Sequence, residues 1–155
     1  MYELNYIPKN NEEKNVINVY QNLIDNWNDC KPDDFALLFS KHANLIGFHD
    51  NPIIGKDEIR FHLRQFFNAN FSEKFIARIK EVRIIVPGVT ILRAVAGFVE
   101  PGKPEYSQEF NFLQTMVAEK NDQFWNIALF HMCWGHSHNK LELVKSFTKE
   151  LNQSH

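Results

Sequence analysis

The chain has 155 residues, enough for one domain with a single sizeable core. Its 44% hydrophobic and 23% charged residues are ordinary globular usage. A formal charge of −2 and a pI near 6.4 argue against the basic face of a nucleic-acid binder, and no run approaches the roughly 18 apolar residues of a membrane helix. The ring content is unusual: 14 Phe, 3 Trp and 4 Tyr predict a core or cavity lined with aromatics. The opening MYELNYIPKNNEEK lacks the charged-then-apolar order of a signal peptide. The reading is a soluble, cytoplasmic protein, with Cys30 and Cys133 as free thiols in a reducing compartment.

In chain order, residues 1–11 are polar and aperiodic. NEEKNVINVYQNLIDNWND places Val16, Val19, Tyr20, Leu23, Ile24 and Trp27 at helical spacing, with Asn11 as a cap and Glu12 and Glu13 in the first turn. KPDDFALLFSKH reads as a short helix opened by Pro32. ANLIGFHD reads as a strand, NPIIG as a turn, and KDEIRFHLRQFFNAN as a third helix with Ile59, Leu63, Phe66 and Phe67 on one face. From residue 75 the pattern turns to strands. FIARIKEVRIIV and VTILRAVAGFV are joined at Pro87-Gly88, and SQEFNFLQTMVAE and QFWNIALFHMCW are joined at KND. NKLELVKSFTKELNQ closes as a helix with a Leu141, Val144, Phe147 and Leu151 stripe. Helices followed by paired strands predict an α+β domain, residues 1–155, in which helices cover one face of a curved antiparallel sheet.

Four places in this order resemble the nuclear transport factor 2-like superfamily, and within it the SnoaL-like polyketide-cyclase group with its SgcJ/EcaC relatives. They are the long first helix followed by PDDFALLFS, the run ANLIGFHDNPIIGKDEIRFHL, the Pro-Gly hairpin with LRAVAG, and FWNIALFH. The resemblance covers about residues 13–134 and leaves the helix at about 139–152 as an extension. It implies a cystatin-like cone: a strongly curved antiparallel sheet with helices packed on its concave face around a pocket. It also implies a homodimer through the outer sheet face. The family holds isomerases, cyclases, dehydratases and binding domains, so the fold alone selects no activity.

The pocket walls follow from period-2 alternation. With Ala118 opposite Gln123, one face carries Trp125, Ile127, Leu129 and His131, joined by Phe110, Phe112, Gln114 and Met116. The other carries Phe124, Asn126, Ala128, Phe130 and Met132. The first set is nearly all apolar and is expected to face inward; a one-residue slip would invert it. His131 is then the candidate acid or base, a neutral imidazole among rings, with a satisfied core histidine as the competing reading. Tyr20, Trp27, Phe48, His62 and Phe66 complete the expected lining, with Gln114 able to bond a ligand carbonyl. Arg93, midway along an apolar strand, either clamps a ligand carboxylate or pairs internally with Glu81 or Glu109. His49-Asp50 reads as a turn, because neighbours on a strand point apart. In ketosteroid-isomerase-like relatives a carboxylate base works with a Tyr and an acid inside the cone; the face assigned inward here carries no Asp or Glu.

His131, Cys133, His136 and His138 are all competent zinc ligands, but H-x-C-x2-H-x-H matches no structural zinc spacing. The ranked expectations are a small apolar ligand in the cone with no cofactor, then a non-enzymatic dimerising domain, then a metal site on this cluster. Neither a nucleic-acid nor a membrane partner is expected.

Overall fold

The computed structural model describes residues 6–47, 51–69, 74–99, 111–135, 148–149 and 152. Helix α1 spans Asn11–Asn28, α2 Pro32–Leu37 and α3 Lys56–Asn68. The strands are β1 Phe39–Ile46, β2 Ile53–Ile54, β3 Lys74–Val86, β4 Val89–Val99, β5 Asn111–Asn121 and β6 Phe124–Trp134.

Helix α1 starts one residue earlier than the sequence suggests. Asn10 Oδ1 accepts the Glu13 N–H at 2.9 Å, and the Glu13 carboxylate accepts the Lys9 N–H at 3.2 Å. The first bond satisfies a free donor of the first turn, and the second ties the residue before the cap to the helix. One stripe of α1 is buried: Val16, Tyr20, Leu23, Ile24 and Trp27. The helix stops at Cys30, whose φ of 55° places it in the left-handed region while its N–H bonds to the Trp27 carbonyl at 3.0 Å. Helix α2 begins at Pro32 and ends sooner than expected, because Phe39–His42 belong to β1. Arg64 Nε and Nη2 reach the two Asp33 oxygens at 2.7 and 2.8 Å, tying α3 to α2.

The six strands form one sheet in the order β2-β1-β6-β5-β4-β3. All neighbours are antiparallel except β1 and β6, which run parallel. The expected turn NPIIG contains β2, which pairs with β1. The β3–β4 turn carries Pro87 and then Gly88 at φ 86°, the residue order of a type II turn. β1 is followed by Gly47 at φ 104°, where a Cβ would lie 1.9 Å from the Met132 carbonyl oxygen of β6. Only glycine fits so close an approach.

Helices α1 and α2 pack on the concave face, over a core that includes Leu45, Val82, Leu92, Met116, Ala118, Ile127 and Phe130. The curved sheet with helices inside it is the expected α+β cone. Two of its register shifts matter for the site. Lys80 is an extra residue in β3, between the Ile79–Ala94 and Glu81–Arg93 pairs. Ala128 is an extra residue in β6, between Ile127–Ala118 and Leu129–Val117. The expected C-terminal helix lies mostly outside the described residues; of that segment residues 148, 149 and 152 are described, and they are helical. Among the described residues no helix is long and apolar enough to cross a membrane.

Candidate functional site: the aromatic end of the cone

β3 begins, β4 ends, β5 begins and β6 ends at one end of the cone, where the chain runs into segments 70–73, 100–110 and 136–147. The rings gather there. Trp27 of α1 lies 5.0 Å from Phe75, 5.4 Å from Phe66 and 5.1 Å from Phe67, centroid to centroid. The chain of rings continues across the sheet through Phe75–Phe98 at 4.5 Å, Phe98–Phe112 at 5.1 Å and Phe112–Trp134 at 4.9 Å. Such offset and edge contacts stabilise beyond the area they bury. Burial is graded along this chain. Trp27 and Phe75 are buried, whereas Phe66 and Trp134 are 38% and 47% exposed.

One layer deeper sits a polar pair. The Tyr20 hydroxyl donates to Gln114 Oε1, and Gln114 Nε2 donates to Met132 Sδ at 3.6 Å. Both residues are almost fully buried. Sulfur is a weak acceptor, and the amide carries a second N–H. The floor therefore offers hydrogen bonds but no carboxylate. Glu13, the one buried acid among the described residues, is taken up in the cap of α1.

Tyr20, Trp27, Phe112, Gln114, Trp125 and Ile127 are buried on the concave side and Phe66 lies against Trp27, although not all stand at one place. Trp125 pairs with Lys120 at the far, hairpin-turn end, beside a cavity of about 550 Å³ that Glu12, Pro87 and Lys120 also line. The expectation for His131 and Leu129 is corrected. Regular alternation from Trp125 would put both inside, but the extra residue Ala128 reverses the alternation. Phe130 and Met132 become the buried residues, while Leu129 is half-buried and His131 exposed on the convex face. His131 is thus neither a pocket residue nor an acid–base candidate, and Phe130 and Met132 are not part of an outer surface. Arg93 is also convex: its guanidinium meets Glu81 at 2.7–2.8 Å and holds that carboxyl below the usual carboxylate range. This is the internal pairing, so Arg93 is no ligand clamp. His62 lies half-buried on α3, 3.7 Å from Glu58.

Phe48, His136 and His138 lie outside the described residues, as do His49 and Asp50. His131 and Cys133 stand two residues apart on the convex face, and both are exposed. Among the described residues no three potential metal ligands come together. Cys30 and Cys133 are free thiols. Sequence reasoning missed Phe75, Phe98 and Trp134 as members of the ring chain. Phe75 alternates inward with Ala77 and Ile79, a legible signal; Trp134 was concealed by the same bulge as His131.

No protein-family model matches this sequence, and no curated protein matches it. Solved structures match its fold. A domain of unknown function with a cystatin-like fold from Nostoc punctiforme superposes with a TM-score of 0.75 at 22% identity, covering 95% of this chain and 93% of the other. A ketosteroid isomerase-like protein from Erwinia carotovora atroseptica gives 0.65 at 14% identity, covering 79% and 95%. An NTF-2-like protein of unknown function from Shewanella oneidensis gives 0.63 at 14% identity, covering 78% and 98%. With the cone, the concave helices and the strand order already in place, the chain has the nuclear transport factor 2-like, cystatin-like fold.

Proposed function

We propose that this cone is a binding module for a small, apolar, ring-containing molecule, held at its aromatic end and anchored by the Gln114 amide. The observation that carries the reading is the Tyr20–Gln114 pair buried beneath a graded wall of rings. Ligand sites are mostly apolar with a few placed polar groups, which is the composition found here. Among the described residues the inward side chains supply hydrogen bonds and no free carboxylate, which favours binding over acid–base catalysis. The resemblance to the SnoaL-like group suggests a fused-ring ligand, so an anthraquinone is a fitting probe. Titration should saturate and quench tryptophan fluorescence, and both Phe66→Ala and Gln114→Leu should weaken binding by about tenfold or more. The reading is wrong if no fused-ring compound saturates, or if both variants bind as tightly as the parent.

A second reading concerns assembly. On the convex face Leu113 is 48% exposed and lies among the half-buried Ile91, Val95, Val117 and Leu129. This stripe supports a homodimer through the outer sheet face. Leu113→Asp combined with Val117→Asp should leave a monomer in sedimentation; an unchanged mass at every concentration removes the reading.

A further inference from the structure

The convex face carries a second feature that the cone does not explain. The β3–β4 hairpin, residues 74–99, bears Lys74, Arg78, Lys80, Arg83 and Arg93 against Glu81 alone, a net +4 in a chain of net −2. Four of the five arginines have a carboxylate within 3.0 Å: Arg60 with Asp57, Arg64 with Asp33, and both Arg83 and Arg93 with Glu81. Among the described residues Arg78 has no such partner, and neither does Lys80 beside it.

Both cations rim a groove of about 320 Å³. Register explains its shape. Arg78 lies opposite Val95, which lies opposite Leu113, making one row across three strands; the next row sets Ile76 against Gly97. Gly97 contributes no side chain, so the sheet surface is recessed there, between Ile76, Val95 and Leu113. The bulge in β3 adds Lys80 to the same rim. A lysine on an edge strand is a common guard against strand-to-strand aggregation. That role does not require an unpaired arginine above an apolar recess. An exposed arginine lacking a carboxylate, with apolar surface within reach, fits a ligand that brings its own anion on an apolar body.

We infer that this groove binds a small amphipathic anion, with the carboxylate or equivalent head between Arg78 and Lys80 and the apolar tail over Gly97, Val95 and Leu113. Phe112 of the ring chain also lines this groove, but the inference does not rest on a ligand in the cone. Octanoate is the probe, with octanol and octyltrimethylammonium as its neutral and cationic counterparts. Octanoate should shift the amide resonances of Ile76, Gly97 and Leu113 saturably, and the other two should bind much more weakly. Arg78→Gln with Lys80→Gln should weaken octanoate by about tenfold or more, the scale of lost charge-assisted bonds. Lys41→Gln with Lys56→Gln, an equal loss of charge on β1 and α3, should leave it unchanged. The inference is overturned if octanol binds as well as octanoate, if the Arg78/Lys80 variant binds like the parent, or if the shifts fall at Tyr20 and Gln114. It also falls if the groove amides shift on concentrating the protein alone and octanoate shifts nothing further, because a second copy then occupies this surface.

Discussion

On the concave face of the sheet, Phe39, Leu92, Met116 and Ile127 are sealed, and the Tyr20 hydroxyl donates to Gln114 Oε1. On the convex face a few residues away, Arg93, Arg83 and Glu81 share ion pairs in solvent, while Leu113 and Arg78 remain uncovered. The two faces are built from the same strands and differ only in the parity of each position. Burial makes concave positions intolerant of change, since interiors are close-packed. Exposure makes convex positions cheap to alter, and so available for recognition. The contrast predicts where substitutions hurt and by how much.

The largest effect should come where the backbone itself is crowded. A Cβ at Gly47 would sit 1.9 Å from the Met132 carbonyl oxygen, and its φ of 104° is strained for any other residue. Gly47→Ala is expected to push β1 away from β6 and abolish cooperative unfolding in a thermal melt. A melt close to that of the parent would show that the two strands do not approach so closely. Next comes Trp27, surrounded by four phenylalanines. Trp27→Ala should lower stability by about 3–5 kcal/mol in urea unfolding. Leu113→Ala on the convex face should fall within about 0.5 kcal/mol of the parent in the monomer. Equal losses at the two positions would erase the distinction between the faces.

The parity argument also separates what could be read in the sequence from what could not. The first three helices, the two hairpins and the burial of Trp125, Ile127, Phe112, Gln114 and Met116 follow from 3.6- and 2-residue periods. His131 does not, although it belongs to the same alternating run. A bulge adds one residue without a sequence mark as plain as Pro or Gly. Ala128 is small enough to sit on either face, so nothing local reveals the reversal. Once it occurs, every later side chain in β6 changes sides, which moves His131 out and Met132 in. The pairing of Arg93 was open for a different reason. Its partner Glu81 lies across the hairpin, brought opposite by the bulge at Lys80, and register of that kind is a tertiary fact. The parallel β1–β6 pair was illegible for the same reason.

The polar pair in the cone gives a smaller and more selective test. Tyr20→Phe removes the donor and leaves Gln114 Oε1 buried, which should cost about 1–3 kcal/mol. Adding Gln114→Leu to Tyr20→Phe should then cost less than the two single losses together, because the second change removes the orphaned acceptor. Strict additivity in this double-mutant cycle would mean that the two side chains do not depend on each other.

The smallest effect lies at the exposed tie between α2 and α3. The hydrogen bond from Arg64 holds the Asp33 carboxyl below its ordinary 3.8, and the guanidinium charge adds to the shift. A carboxyl whose folded value is depressed contributes stability above its unfolded value and loses it as pH falls through the folded one. The parent should therefore exceed Arg64→Gln in melting temperature by a constant margin above about pH 5, narrowing below pH 3.8. The margin should be small, since both side chains are 55% exposed, and it should shrink in high salt. Its sign is the informative part. A margin that widened with acid would mean that protonated Asp33 is the stabilised form, and that the two helices are joined by something other than this ion pair.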